Sequence, residues 1–168
     1  YFGVWTSNVD FADPDGPDLE WDTYIGWSHD INDQWNVDLS LVNYSYFGDR
    51  NDYGNIDYFE GIGKFTWNEM LTLTLAYSPD YANLDYSSFY ANIGGTWEIG
   101  HDFSLNAGIG HSNFSDDVVG YTDWNIGISR AFGPATLALN YYDTDIDFDA
   151  DAEHHHASDE FVFSISFG

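Results

Sequence analysis

The chain has 168 residues, enough for one domain with an ordinary core or a closed barrel. Phe, Tyr and Trp make up 20% of it, which excludes the acidic disordered chains that are poor in aromatic residues. Asp and Glu outnumber Lys and Arg by 29 to 3, and the formal charge of −26 excludes nucleic acid and anionic lipid surfaces as docking partners. Such a charge predicts attraction of cations or adaptation to a salty habitat. Without cysteine, disulfides and thiolate chemistry are also excluded.

Apolar and polar residues alternate with a period of two from end to end, most plainly over 71–77 and 161–167, which is typical of β-strands with two different faces. Eleven residues at about 3.3 Å each and a tilt of about 40° span roughly 28 Å, close to the apolar band of an outer membrane. Turn residues divide the chain into about ten strands, over 1–11, 19–31, 34–48, 56–68, 71–82, 87–100, 103–116, 121–133, 136–148 and 159–168.

The connections between these strands alternate in length. Tight turns at 32–33, 68–70, 100–102 and 133–135 alternate with longer polar loops. Outer-membrane barrels have short turns on the periplasmic side and longer loops outside. The sequence therefore predicts an all-β fold, an antiparallel up-and-down transmembrane β-barrel forming a single domain over 1–168. Because the chain starts inside a strand pattern at Tyr1, we interpret it as lacking an upstream part.

Outward aromatic residues are expected to form a girdle at each membrane interface. Beside the short turns the strand ends carry Trp27, Trp35, Trp67, Trp97, Phe103, Phe132 and Phe167. Beside the longer loops the same faces carry Phe11, Trp21, Phe59, Tyr81, Phe89, Trp124, Tyr141 and Phe161. Aliphatic residues such as Leu39, Leu73 and Ile126 lie between the two bands. Arg130 also points outward, beside Phe132, where its long stem would let the charge reach the interface.

The opposite face of the strands is polar and acidic, and it predicts a wet interior. Rings of carboxylates concentrate cations and repel anions. The alternative is a solvated lining that merely tolerates acids in high salt, and inward tyrosines such as Tyr24, Tyr44, Tyr46 and Tyr142 are large enough to narrow or close the lumen. The predicted pore-lining residues are Glu20, Asp22, Asp38, Tyr58, Glu60, Lys64, Tyr90, Glu98 and Asp123.

A family resemblance is carried by three segments that occur in a fixed order along the chain, 5–11 (WTSNVDF), 77–80 (YSPD) and 121–130 (YTDWNIGISR). With them the whole chain resembles the TorF-type porins, a family of conserved hypothetical outer-membrane proteins of Gram-negative bacteria. The resemblance implies a signal peptide and about one further hairpin upstream, hence about 12 strands in the intact barrel. Strands of this kind commonly end on an aromatic residue. The last strand departs from that pattern, since Gly168 follows Phe167 at its end. The resemblance implies no particular solute.

Residues 149–160 hold His154, His155 and His156 among five carboxylates, a mixture of N and O ligands that suits Zn, Ni or Cu. Consecutive loop residues do not preset a tetrahedral site, so a mobile acidic extracellular loop is the favoured interpretation and a metal site the weaker one. Residues 13–18 offer weak Ca²⁺ ligands without the spacing of a helix-flanked calcium loop. No cofactor is predicted beyond loosely bound divalent cations.

No enzyme is predicted. His111 and Ser112 resemble a nucleophile and its base, but adjacent residues of a regular strand point to opposite faces. Gly61-x-Gly63 and Gly108-x-Gly110 are not phosphate loops, because no helix follows them.

We expect a porin-like channel of the outer membrane that lets small cationic or neutral solutes diffuse passively and favours cations, which is an ion-transport role. Its expected partners are outer-membrane lipid and lipopolysaccharide. One alternative is a structural or adhesive barrel with an occluded lumen and acidic loops that bind cations. Another is a soluble lipocalin-like binding barrel with an aromatic pocket. Detergent partitioning separates the last from the other two, and conductance separates the first from the second. A homo-oligomer is compatible with the sequence, although no surface marks a protomer contact.

Overall fold

A computed structural model describes residues 1–9, 16–48, 54–146 and 159–167, so His154, His155 and His156 lie outside the described residues. A short 3₁₀ turn, Tyr81–Asn83, follows the fifth strand. The strands are β1 (Phe2–Asn8), β2 (Pro17–Asn32), β3 (Trp35–Gly48), β4 (Tyr58–Trp67), β5 (Leu71–Ser78), β6 (Ser88–Gly100), β7 (Phe103–Phe114), β8 (Tyr121–Phe132), β9 (Ala135–Thr144) and β10 (Glu160–Phe167).

Each strand pairs antiparallel with its neighbours in the chain, which gives one ten-stranded up-and-down sheet in the order β1 to β10. The predicted all-β antiparallel fold is confirmed, and short and long connections alternate as expected. The described strands form ladders only with their sequence neighbours, so β1 and β10 remain the two edges and the sheet is not closed there. In the part of the chain that the structure describes, no helix has the length and apolar character needed to cross a membrane.

The strand limits match the prediction within three residues, except that β5 and β9 each end four residues earlier than predicted, at Ser78 and Thr144. Residues 71–82 were predicted to be one strand, but β5 ends at Ser78. Pro79 follows, and a proline has no N–H to continue the ladder. The chain then turns through Ala82 and Asn83, both left-handed with φ of 53° and 54°. The 3₁₀ turn carries Tyr81 away from the strand's alternation.

The prediction that Tyr81 belongs to the outward aromatic band is therefore wrong. Its ring centroid lies 4.9 Å from that of Tyr58 and 5.5 Å from that of Phe114, and both of these residues face inward. The turn folds Tyr81 over the inner face of the sheet.

The two faces of the sheet differ in exposure. Large apolar side chains are exposed on one face, which is the reverse of what a soluble protein shows. Outward apolar side chains are exposed, with Leu73 at 40%, Ile126 at 52% and Phe161 at 71%. Buried residues on the other face include the polar Asp22 and Ser78. A soluble fold buries its apolar residues and exposes its charged ones. Here the large exposed apolar surface needs a partner other than water.

The short turns use local hydrogen bonds and left-handed residues. In the β2–β3 turn the Asn32 side-chain oxygen accepts the N–H groups of Gln34 at 2.9 Å and Trp35 at 3.1 Å. Asn68 and Glu69, with φ of 50° and 57°, form the β4–β5 turn. Two successive positive φ values match the right-handed twist of a tight hairpin. These turns fix the register of the hairpins they close.

Replacing Asn32 by alanine removes an acceptor that holds two backbone N–H groups of the β2–β3 turn. We expect Asn32→Ala to lower the free energy of unfolding by about 1 kcal/mol. Urea denaturation of the refolded protein measures this difference. Asp33→Ala, one position along the same turn, is the matched control and should change stability by less than about 0.5 kcal/mol. Equal losses for the two variants would mean that the Asn32 bonds do not stabilise the turn.

Candidate functional site

The inner face of the sheet is the candidate site, and the strand register defines it. Residues directly opposite on paired strands share a face. One row of such pairs crosses the sheet through Asp38, Lys64, Thr74, Asn92, Gly110 and Asp123. A second row crosses through Trp5, Asp22, Tyr44 and Tyr58.

With the period of two along each strand, the register brings all nine predicted pore-lining residues to this inner face. They are Glu20, Asp22, Asp38, Tyr58, Glu60, Lys64, Tyr90, Glu98 and Asp123.

Aromatic side chains from strands and connections gather at the end of the inner face that carries the longer loops. Ring centroids succeed one another at 4.7 Å (Tyr44 to Tyr58), 4.9 Å (Tyr58 to Tyr81), 5.5 Å (Tyr81 to Phe114) and 6.2 Å (Phe114 to Tyr121). These spacings lie within the range of favourable ring pairs. We name these five residues the aromatic cluster. Burial raises the pKa of Tyr81, so its hydroxyl stays protonated.

A cavity of about 360 Å³, the loop-end cavity, lies beside the aromatic cluster. Its walls combine rings of the cluster with two carboxylates, Glu60 and Asp123. The Tyr44 hydroxyl donates to Glu60 at 3.2 Å, and the Tyr90 hydroxyl donates to Asp123 at 3.1 Å. The tyrosines thus hold both carboxylates against the wall.

At the other end of the sheet, where the short turns lie, the inner face carries many polar side chains. Amide and hydroxyl side chains such as Asn92 and Asn125 surround a second cavity of about 260 Å³. Asn106 donates to Asn140 at 2.6 Å. The Tyr1 hydroxyl donates to Asp38 at 2.7 Å, which positions one predicted pore-lining carboxylate. The two cavities therefore differ, since the loop-end cavity is aromatic and acidic and the one at the turn end is mainly polar.

Two buried polar atoms of the described inner face have no hydrogen-bond partner. They are Oδ1 of Asp22 and Oγ of Ser78. Buried polar groups are normally paired, because leaving one unpaired costs about 1–3 kcal/mol. Both atoms lie on strands that contribute to the loop-end half of the face.

Glycines on the strands beside the inward tyrosines let the tyrosine rings lie against the wall of the sheet. A Cβ atom at Gly110 would fall 2.6 Å from Cζ of Tyr90, and one at Gly3 would fall 2.4 Å from Cζ of Tyr24. Real Cβ atoms do not approach other atoms so closely. A ring that lies flat on a glycine takes less of the interior than a ring that projects into it.

Sequence comparison gives the family of the chain. The model of a family described as "Bacterial protein of unknown function (Gcw_chp)" matches residues 1–167. The chain belongs to the Gcw_chp family. No curated protein and no solved structure matches it. The family is bacterial, and its model covers almost the whole chain. Nothing in the family description ties the Gcw_chp protein to TorF-type porins.

Outside the inner face, the Gcw_chp protein places its other predicted residues as follows. Arg130 faces outward as predicted, with its guanidinium carbon 4.8 Å from the ring centre of Phe103 and 4.7 Å from that of Phe132. His111 contacts Thr122 at 3.2 Å while Ser112 is buried, so the two neighbours lie on opposite faces. Among the described residues, no group of three or more His, Asp or Glu side chains is placed to hold a metal ion.

Sequence reasoning missed most of the aromatic cluster. Phe114 and Tyr121 follow the alternation of inward residues on β7 and β8, so their position was available from the pattern. Tyr81 lies after Pro79 in a 3₁₀ turn, where alternation gives no signal.

A methyl group at Gly110 should push the Tyr90 ring off the wall and away from Asp123. We expect Gly110→Ala to lower the free energy of unfolding by roughly 1–3 kcal/mol, the usual effect of overpacking. In a Tyr90→Ala background the same change should cost much less, because the ring it displaces is gone. Urea denaturation of the four proteins of this double-mutant cycle measures the coupling.

Gly61→Ala is the control for Gly110→Ala, since the nearest atom to a Cβ at Gly61 is 4.0 Å away. It should leave stability nearly unchanged. Additive effects of Gly110→Ala and Tyr90→Ala would show that the close approach of ring and glycine does not matter.

Proposed function

We propose that this Gcw_chp protein is a β-barrel of the Gram-negative outer membrane that lets small solutes diffuse passively and favours cations. The observation that carries the proposal is the distribution of side chains, with large apolar residues exposed on one face and polar residues such as Asp22 and Ser78 buried on the other. Lipid is the environment in which such an outward face is stable, and a polar interior is what a water-filled barrel needs.

Strand length and order support the membrane placement. β2 has 16 residues and β3 has 14, against about five or six in ordinary soluble sheets. Ten strands in sequential order are what an up-and-down barrel requires. The soluble lipocalin-like alternative would leave the exposed face, including Ile25 at 64%, in water.

A barrel in lipid must also satisfy the edges of the sheet, because unpaired backbone groups are too costly there. The edge strands β1 and β10 each offer a free row of donors and acceptors, and all eight residues of β10 are exposed. We propose that the two edges pair and so close the barrel.

Charge on the inner face supports a preference for cations. Asp38, Glu60 and Asp123 lie on one face of the sheet, and Lys64 is the basic residue opposite Asp38. Carboxylates in a confined low-dielectric interior raise the local concentration of cations and oppose anions.

The aromatic cluster favours a second candidate, a structural or adhesive barrel with an occluded lumen. Its rings lie over one end of the inner face, where Tyr81 is brought in by a connection and not by a strand. A barrel of about ten strands has little interior space to spare beyond its own side chains.

A charge placed on the outward face tests the membrane environment directly. Leu73→Arg should weaken insertion and folding into lipid vesicles by roughly 2–4 kcal/mol. Thr74→Arg, the next residue on the inner face, is the matched control and should have a smaller effect. Folding yield in vesicles over a urea series measures both. If the protein were soluble, Leu73→Arg at this exposed site would change stability by less than about 0.5 kcal/mol, and that result would contradict the proposal.

Planar-bilayer recording tests the channel. In a KCl gradient we expect stable conductance steps with a reversal potential on the cation-selective side. The pair Glu60→Gln and Asp38→Asn together should move the reversal potential towards zero, because two inner carboxylates lose their charge. Asp85→Asn, outside the strands, is the control and should leave selectivity unchanged. A barrel that inserts but never conducts would overturn the channel and favour the occluded candidate.

A further inference from the structure

The walls of the loop-end cavity are both aromatic and anionic. Tyr58, Tyr81, Phe114 and Tyr121 contribute rings, and Glu60 and Asp123 contribute carboxylates. Its volume of about 360 Å³ falls within the range of small-molecule sites. The question is which chemical class of ligand suits this combination.

Aromatic faces carry negative potential and attract cations, most strongly when water is excluded. The rings of the cavity are already ordered by contact with one another, with centroids 4.9 to 6.2 Å apart from Tyr58 to Tyr121. A ligand therefore does not have to order them, which lowers the entropic cost of binding. Ordered rings suit a cation that carries apolar surface better than a bare metal ion.

The carboxylates supply the opposite charge. Glu60 and Asp123 each accept one hydrogen bond from a tyrosine hydroxyl, at 3.2 Å and 3.1 Å. An ionised carboxylate has about four acceptor positions, so acceptor capacity remains on both groups. An anionic ligand would be repelled by both.

We infer that the loop-end cavity binds a small organic cation that bears an alkylated ammonium group. The alkyl groups contact the rings of Tyr58, Tyr81, Phe114 and Tyr121, and the positive charge is balanced by Glu60 and Asp123. The inference rests on the proposed function and deepens it, because it names the class of solute that the inner face would bind.

Choline is the probe, and 3,3-dimethylbutan-1-ol, its uncharged counterpart of the same shape, is the ligand control. We expect isothermal titration calorimetry of the full chain, refolded in detergent, to show choline binding at least about tenfold tighter than the alcohol. Glu60→Gln with Asp123→Asn should reduce choline affinity about tenfold or more. Glu69→Gln, in the β4–β5 turn at the opposite end of the sheet, should leave it unchanged.

Tyr121 separates the contribution of the rings from that of charge. Tyr121→Phe keeps a ring and should keep most of the choline affinity, whereas Tyr121→Leu should lose it about fivefold. Circular dichroism confirms that each variant is folded before titration. Equal affinity for choline and the alcohol, or no binding of choline by the folded protein, overturns the inference. Equal binding by the phenylalanine and leucine variants overturns the role of the rings.

Titration in detergent does not depend on conduction, so the two proposals fail separately. A protein that binds choline but stays silent in bilayers would retain this site and lose the channel. A cation-selective channel that does not bind choline would retain the channel and lose the site.

Discussion

Backbone pairing between neighbouring strands is the constraint on which the rest of the molecule depends. Because side chains alternate between faces, a slip of one residue would exchange the two faces of a strand. On β5 such a slip would turn Leu73 inward and Thr74 outward. The register instead keeps Thr74 between Lys64 and Asn92. The tight turns, with Asn68 and Glu69 both left-handed, hold this register from one side of the sheet.

The same register decides how much interior remains. Tyr90 belongs to the row of paired residues next to the row of Gly110. Because Gly110 has no Cβ, the Tyr90 ring can lie against the backbone of the strand that carries Gly110. That position also brings its hydroxyl to Asp123. A tyrosine held in this way fills a wall position and orients a carboxylate at once. The glycines of β7 are therefore part of the site's geometry and not only weak points of a strand.

The sequence predicts the strands and their faces well because alternation is a local signal that the ladder reinforces. It places Glu60, Lys64 and Asp123 on one face without any knowledge of the pairing. It fails at Tyr81, because Pro79 interrupts the ladder and a 3₁₀ turn has no period of two. Nor can alternation tell whether β1 and β10 meet, since closure depends on contacts between the most distant segments of the chain.

The acidic inner face poses an electrostatic problem that links stability to function. Glu20 and Asp22 lie on β2 and Glu60 lies on β4, the two strands that flank β3, and like charges sheltered from water destabilise the structure that gathers them. Tyrosine hydroxyls relieve part of this by donating hydrogen bonds, as Tyr44 does to Glu60. A hydroxyl brings no charge, so the remaining repulsion is relieved by mobile cations or by protonation of the carboxylates. On the proposed function, the ions that enter the interior are also the ions that make its acidity stable.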